Sequence, residues 1–157
     1  MSNVMSNYVI CAFLIGVVTG LRTLTAPAAI SWAAALRWLH LENSPLAFLG
    51  YAATPYIFSL LAIGELITDK LPKTPSRKAP LGLIARILMG GMCGAAFGVA
   101  GDSPIAGCVA GVVGAVAGTF GGYECRVRLA RAVGRDLPIA LLEDVIAIGG
   151  AFLLVSR

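Results

Sequence analysis

Residues 64–80 read GELITDKLPKTPSRKAP and lie between two apolar stretches, 46–69 and 81–100. Glu65 and Asp69 stand four residues apart, so a helix would place them on one face. From Lys70 the character changes. Lys70, Lys73, Arg77 and Lys78 alternate with Pro72, Pro75 and Pro80, and proline removes a backbone donor while clashing with the preceding turn. An apolar helix that ends in a basic, proline-rich turn reads as a membrane span leaving the bilayer on its cytoplasmic side. The acids one turn back inside that helix are the feature that composition does not explain.

Composition agrees with a membrane setting. Hydrophobic residues make up 58% of the 157-residue chain and charged residues 13%, about half the ~25% usual for a soluble domain. A soluble domain of this size would expose too much of that apolar surface. The net charge of +4 gathers in two short segments, Lys70 to Lys78 and Arg126 to Arg135. That clustering follows the positive-inside rule rather than the spread of a nucleic-acid interface, so nucleic acid is not an expected partner. Cys11, Cys93, Cys108 and Cys125 show no CxxC spacing, and read as small apolar residues with no metal or other cofactor implied. The first stretch, MSNVMSNYVICAFLIGVVTG, carries no charged leader, so a retained membrane helix is expected there.

A span needs about 20 mostly apolar residues. The runs 4–21, 46–69, 81–100, 104–122 and 137–155 qualify or come close. A sixth run, 24–41, is separated from the first by Arg22 and interrupted by Pro27. It is either a short separate crossing or a re-entrant or interfacial segment, with Trp32 and Trp38 near the headgroups. The expected fold is an all-α integral membrane bundle of five to six transmembrane or half-spanning helices in a single domain. Residues 70–80 and 123–136 are expected as cytoplasmic loops of a cell (inner) membrane protein. His40, beside Trp38 and Glu42, falls in an interfacial turn. The stretches from Gly64 and from Gly121 also share an order of glycine, glutamate, basic segment, proline and apolar helix ending in Gly-Gly. This weak echo suggests a repeated helical hairpin.

Glycine is concentrated in one place: twelve of the 19 fall between Gly82 and Gly122. Gly90, Gly94 and Gly98 form one stripe, and Gly107, Gly111, Gly114, Gly118 and Gly121 form another, with the short turn GDSP between them. Such stripes let helices approach closely in lipid, so the two are expected to face each other or a second copy in a homo-oligomer.

Six ionisable residues fall within or beside the apolar runs: Arg22, Glu65, Asp69, Arg86, Glu143 and Asp144. Each costs roughly 2.5–3.5 kcal/mol at a bilayer centre, which pairing or a wet cavity must offset. Asp69 could be met by Lys70 or Lys73, and Glu65 by Arg86 across a hairpin. Glu143 and Asp144, being adjacent, point about 100° apart on a helix and cannot meet one partner. Lys70, Lys73, Arg77 and Lys78 could also touch anionic headgroups of membrane lipid. No HExxH, nucleophile elbow or phosphate-cradling loop is present, so enzyme chemistry finds little support.

At GLRTLTAPAAISWAA, GELITDKLPKTPSRKAP, GTFGGYECRVRLARA and LLEDVIAIGGA the chain resembles the bacterial membrane proteins catalogued as domain of unknown function 4126. The resemblance implies a small multi-helix membrane protein and supplies no ligand, catalytic residue or cofactor. Two functions stay open. One is a channel or secondary transporter for protons, cations or a small solute, using Glu65 and Glu143 with Asp69 and Asp144 in support and Arg22 and Arg86 balancing charge. The other is a non-transporting scaffold or lipid-interacting protein whose intramembrane charges only lock helices.

Overall fold

A computed structural model of the chain describes residues 2–69 and 80–156, with side chains from Ser6 onward. Its six α-helices are α1 (Ser2–Leu21), α2 (Thr25–Ala35), α3 (Thr54–Thr68), α4 (Pro80–Ala100), α5 (Pro104–Val133) and α6 (Leu137–Val155), with a 3₁₀ turn at Ala47–Gly50. No strand occurs among the described residues. Prolines open these helices rather than break them. Pro55, Pro104 and Pro138 occupy first-turn positions, where a missing N–H forfeits no helical bond.

Among the described residues three helices, α4, α5 and α6, are long and apolar enough to cross a membrane. The other runs divide differently from the expectation. The 46–69 stretch is not one span: the chain makes its 3₁₀ turn, and α3 contributes only 15 residues, about 22 Å against an apolar slab of about 30 Å. The 24–41 stretch yields an 11-residue α2, about 16 Å long. Pro27 lies in the first turn of α2, so the interruption falls earlier, at residues 22–24.

The expected loop at 123–136 is also corrected. α5 continues unbroken to Val133, a 30-residue helix of about 45 Å. Residues 123–133 contain no glycine or proline and include alanine, leucine, glutamate and arginine, all good helix formers. Charge had suggested a loop, but charge alone does not end a helix. Gly134 does: it adopts φ 73° and donates its N–H to Ala130 O at 2.9 Å, the left-handed cap that glycine tolerates best.

The tightest packing joins α1, α4 and α5, while α6 lies against α1 and α2 and barely meets α5. Ala12, Ile15, Cys93 and Ala96 are fully buried where these helices meet. The helix ends sort into two levels. At one end Arg22, after α1, reaches Asp69, after α3, and Asp144 in the second turn of α6. At the other, the Trp38 ring packs edge-on to Phe152 near the end of α6, centroids 6.5 Å apart. Gly101, in the α4–α5 turn, lies against Tyr8 near the start of α1. Successive helices therefore run in alternating directions, and the intervening α2–α3 hairpin starts and finishes at the charged end.

The glycine stripes contact helices of the same chain. A Cβ on Gly94 would stand 2.7 Å from Gly111 Cα, and one on Gly107 would stand 2.6 Å from Gly98 Cα. Gly90 is as tight, with a Cβ there 2.6 Å from that of Ala115. The α5 stripe then turns to a helix that the GDSP turn did not point to. Gly114 and Gly118 lie against the Phe13–Val17 backbone of α1, whose own Gly16 and Gly20 meet Gly111 and Thr119. Around Gly121 there is open space within 4 Å.

Candidate intramembrane charge site

Arg22 is the centre of the charged end. Its N–H still bonds Val18 O at 2.8 Å, so it continues the last turn of α1 and its side chain enters the bundle fully buried. One guanidinium nitrogen pairs with Asp69 Oδ2 and the other with Asp144 Oδ1. A single cation thus ties α1 to both α3 and α6. Asp69 needs this partner: it caps the C-terminus of α3, where the helix dipole disfavours a negative charge. Arg22 thus meets the Asp69 charge from across the bundle.

Glu65, expected opposite Arg86, is used otherwise. Its Oε1 accepts the Thr23 N–H at 2.7 Å and its Oε2 the Leu24 N–H at 2.8 Å. Both donors sit immediately before α2, whose own N-cap, Leu24, offers no side-chain acceptor. The orphan N–H groups at a helix start need acceptors, and the dipole there favours negative charge. Glu65 supplies both from the neighbouring helix and holds the two ends of the α2–α3 hairpin together.

Glu143 and Asp144 do diverge. Asp144 faces Arg22, while Glu143 Oε2 lies 3.6 Å from Arg126 NH1. Arg126 also forms a two-pronged pair with Asp136, Nε to Oδ1 at 2.9 Å and NH2 to Oδ2 at 2.6 Å. The sequence had hidden Arg126 inside a supposed basic loop. Its signal was position, since it is the first arginine after the 104–122 run. Arg86 is buried in the second turn of α4, at this same end. The six expected residues therefore gather at one level, and Arg126 joins them. Lys70, Lys73, Arg77 and Lys78 lie outside the described residues.

No protein-family model, curated protein or solved structure matches the chain. The chemistry must be read from the site itself. Among the described residues no three His, Cys, Asp or Glu side chains converge as a metal ion would need. Nearby hydroxyls bond to backbone. Thr19 donates to Ile15 O at 2.9 Å and buried Thr119 to Ala115 O at 2.7 Å. Beside the charges, a groove of about 300 Å³ runs between α1, α5 and α6, floored by Gly118, Gly121 and Gly122 and walled by Leu142 and Ile146. It is apolar apart from Arg126 and Glu143 at its head. The arrangement can brace helices against one another. It also places acids beside a hydrocarbon-lined groove.

Proposed function

We propose that this is a small multi-pass membrane protein whose intramembrane charges brace its helices, a non-transporting scaffold or lipid-interacting protein. The observation that carries this reading is the engagement of the acids. Arg22 takes both Asp69 and Asp144, and Glu65 gives both oxygens to backbone N–H groups. A carboxylate with both oxygens engaged as a cap is poorly placed to relay protons. On this reading all six helices cross or partly cross, with α2 and α3 as a short pair. Residues 70–80 and 123–136 face the cytoplasm of the inner membrane, and the resemblance to domain of unknown function 4126 describes the family. Homo-oligomers would form through glycines with open space around them, Gly64 and Gly149, since the core stripes are occupied within the chain.

One observation favours the transport reading as second. Two acids share one guanidinium, and Arg22 Nε is buried without an acceptor, a place where water would complete the bonding. A proton or cation path could use that exchange. Glu65→Gln separates the two readings. As a brace, it turns an amide N–H toward backbone donors and lowers stability by about 1.5–3 kcal/mol, the worth of a hydrogen bond to a charged group. As a conducting group, it spares folding and abolishes proton or cation flux in liposomes. Flux through the wild type that a folded Glu65→Gln protein lacks would replace the first reading with the second.

A further inference from the structure

The end of the molecule opposite the charge cluster holds a second pocket. It occupies about 440 Å³ where α2 gives way to the 3₁₀ turn, and Arg37, Glu42, Tyr51, Leu41 and Gly50 line it. Small-ligand sites fall in the range of about 300–1,000 Å³.

Arg37 enters this pocket from an unfavourable backbone. It follows the last turn of α2 with φ 59°, its N–H on Ala34 O at 3.1 Å and the next N–H on Ala33 O at 2.8 Å. This is the left-handed position after a helix where glycine is usual, and a side chain there is disfavoured by the approach of its Cβ to the following carbonyl oxygen. A helix that only had to stop would do so more stably with glycine. Arg37 is exposed, and neither it nor Glu42 makes an ion pair or side-chain hydrogen bond among the described residues. One pocket therefore presents a cation and an anion that the protein has not used on each other, with the exposed ring of Tyr51 alongside.

Two aromatic pairs mark the same end of the bundle. Trp32 packs on Tyr56 at 5.2 Å and Trp38 on Phe152 at 6.5 Å between ring centroids. Aromatic residues of this kind collect at the membrane–water interface. We propose that the pocket binds the headgroup of phosphatidylethanolamine, with its phosphate on Arg37 and its primary ammonium on Glu42. Phosphatidylcholine carries no N–H for Glu42, and phosphatidylglycerol carries no cation. Both are poorer complements to a paired plus and minus. The assignment needs only that the chain sits in a membrane. It is independent of how the charge cluster is read, and its failure would leave that reading standing.

The test uses the full chain purified in detergent, incubated with equal amounts of phosphatidylethanolamine, phosphatidylcholine and phosphatidylglycerol, and the lipid retained is measured by mass spectrometry. Phosphatidylethanolamine should be enriched about tenfold over both, the factor for one charge-assisted hydrogen bond. Arg37→Gly should remove the enrichment while leaving thermal stability equal or higher, an outcome that a merely structural arginine would not give. Glu42→Gln should lose the discrimination between ethanolamine and choline headgroups. Equal retention of the three lipids by the wild type, or unchanged retention by both variants, would overturn the proposal. So would displacement by a soluble zwitterion such as glycine as readily as by phosphoethanolamine, because that would reassign the pocket to a small solute.

Discussion

Adding one methyl group at Gly111 is expected to cost more than its size suggests. Its Cβ would stand 2.9 Å from Gly94 Cα and 3.0 Å from the Gly90 carbonyl carbon. Carbon atoms prefer about 3.5–4.0 Å, so α4 and α5 would have to part by close to 1 Å. The parting cannot be absorbed by shifting α5 the other way. There α1 is already in place, with a Gly16 Cβ position 2.9 Å from Gly111 Cα. Overpacking of this kind costs about 1–3 kcal/mol, and a residue held from two sides belongs at the upper end. Alanine returns about 1 kcal/mol of helix propensity, leaving a net loss of about 2 kcal/mol. Gly121→Ala is the matched control, because no atom lies within 4 Å of its added methyl. There only the propensity gain of up to about 1 kcal/mol should remain. Reversible unfolding in mixed detergent micelles, followed by the fluorescence of Trp32 and Trp38, measures both. A Gly111→Ala protein as stable as the wild type, or the same sign of change at both sites, would refute the argument.

Other expectations follow from the charged end. Arg22→Leu should destabilise by about 3–5 kcal/mol, because it removes the fully buried cation that Asp69 and Asp144 share. Arg126→Gln should cost about 1 kcal/mol or less, since its Asp136 partner is 60% exposed, exposed pairs contribute little, and its contact with buried Glu143 is long at 3.6 Å. Chemical or thermal unfolding of the two variants checks the contrast, and equal losses would contradict it. Thiol labelling probes placement: a water-soluble maleimide should modify exposed Cys125 in the folded protein and leave fully buried Cys93 untouched until unfolding. Applied to sealed vesicles of known orientation, it also reports which side holds the end of α5.

Much of the architecture was legible in the chain because the bilayer imposes simple rules. Apolar length marks α4, α6 and most of α5, and the GDSP turn marks where α4 gives way to α5. The level of the charges was legible too, because Arg22, Asp69, Arg86, Glu143 and Asp144 all lie within about two turns of a run's end. Two local readings misled. Basic residues suggested a loop where Arg126 continues a helix, and an apolar run at 46–69 suggested a span where the chain makes a turn. Hydropathy registers whether a segment tolerates lipid, not whether its backbone stays helical.

Partners were beyond the sequence altogether. Nothing in the spacing of Glu65 and Asp69 tells that one caps a neighbouring helix while the other meets Arg22, 47 residues away. Nor does the α5 stripe reveal that Gly114 and Gly118 rest on α1. Local pattern determines which residues must be buried and which helix face carries them, because backbone hydrogen bonding and transfer to lipid are properties of short segments. Which buried charge meets which, and which small face meets which helix, depends on how the helices cross. Only the tertiary structure decides that.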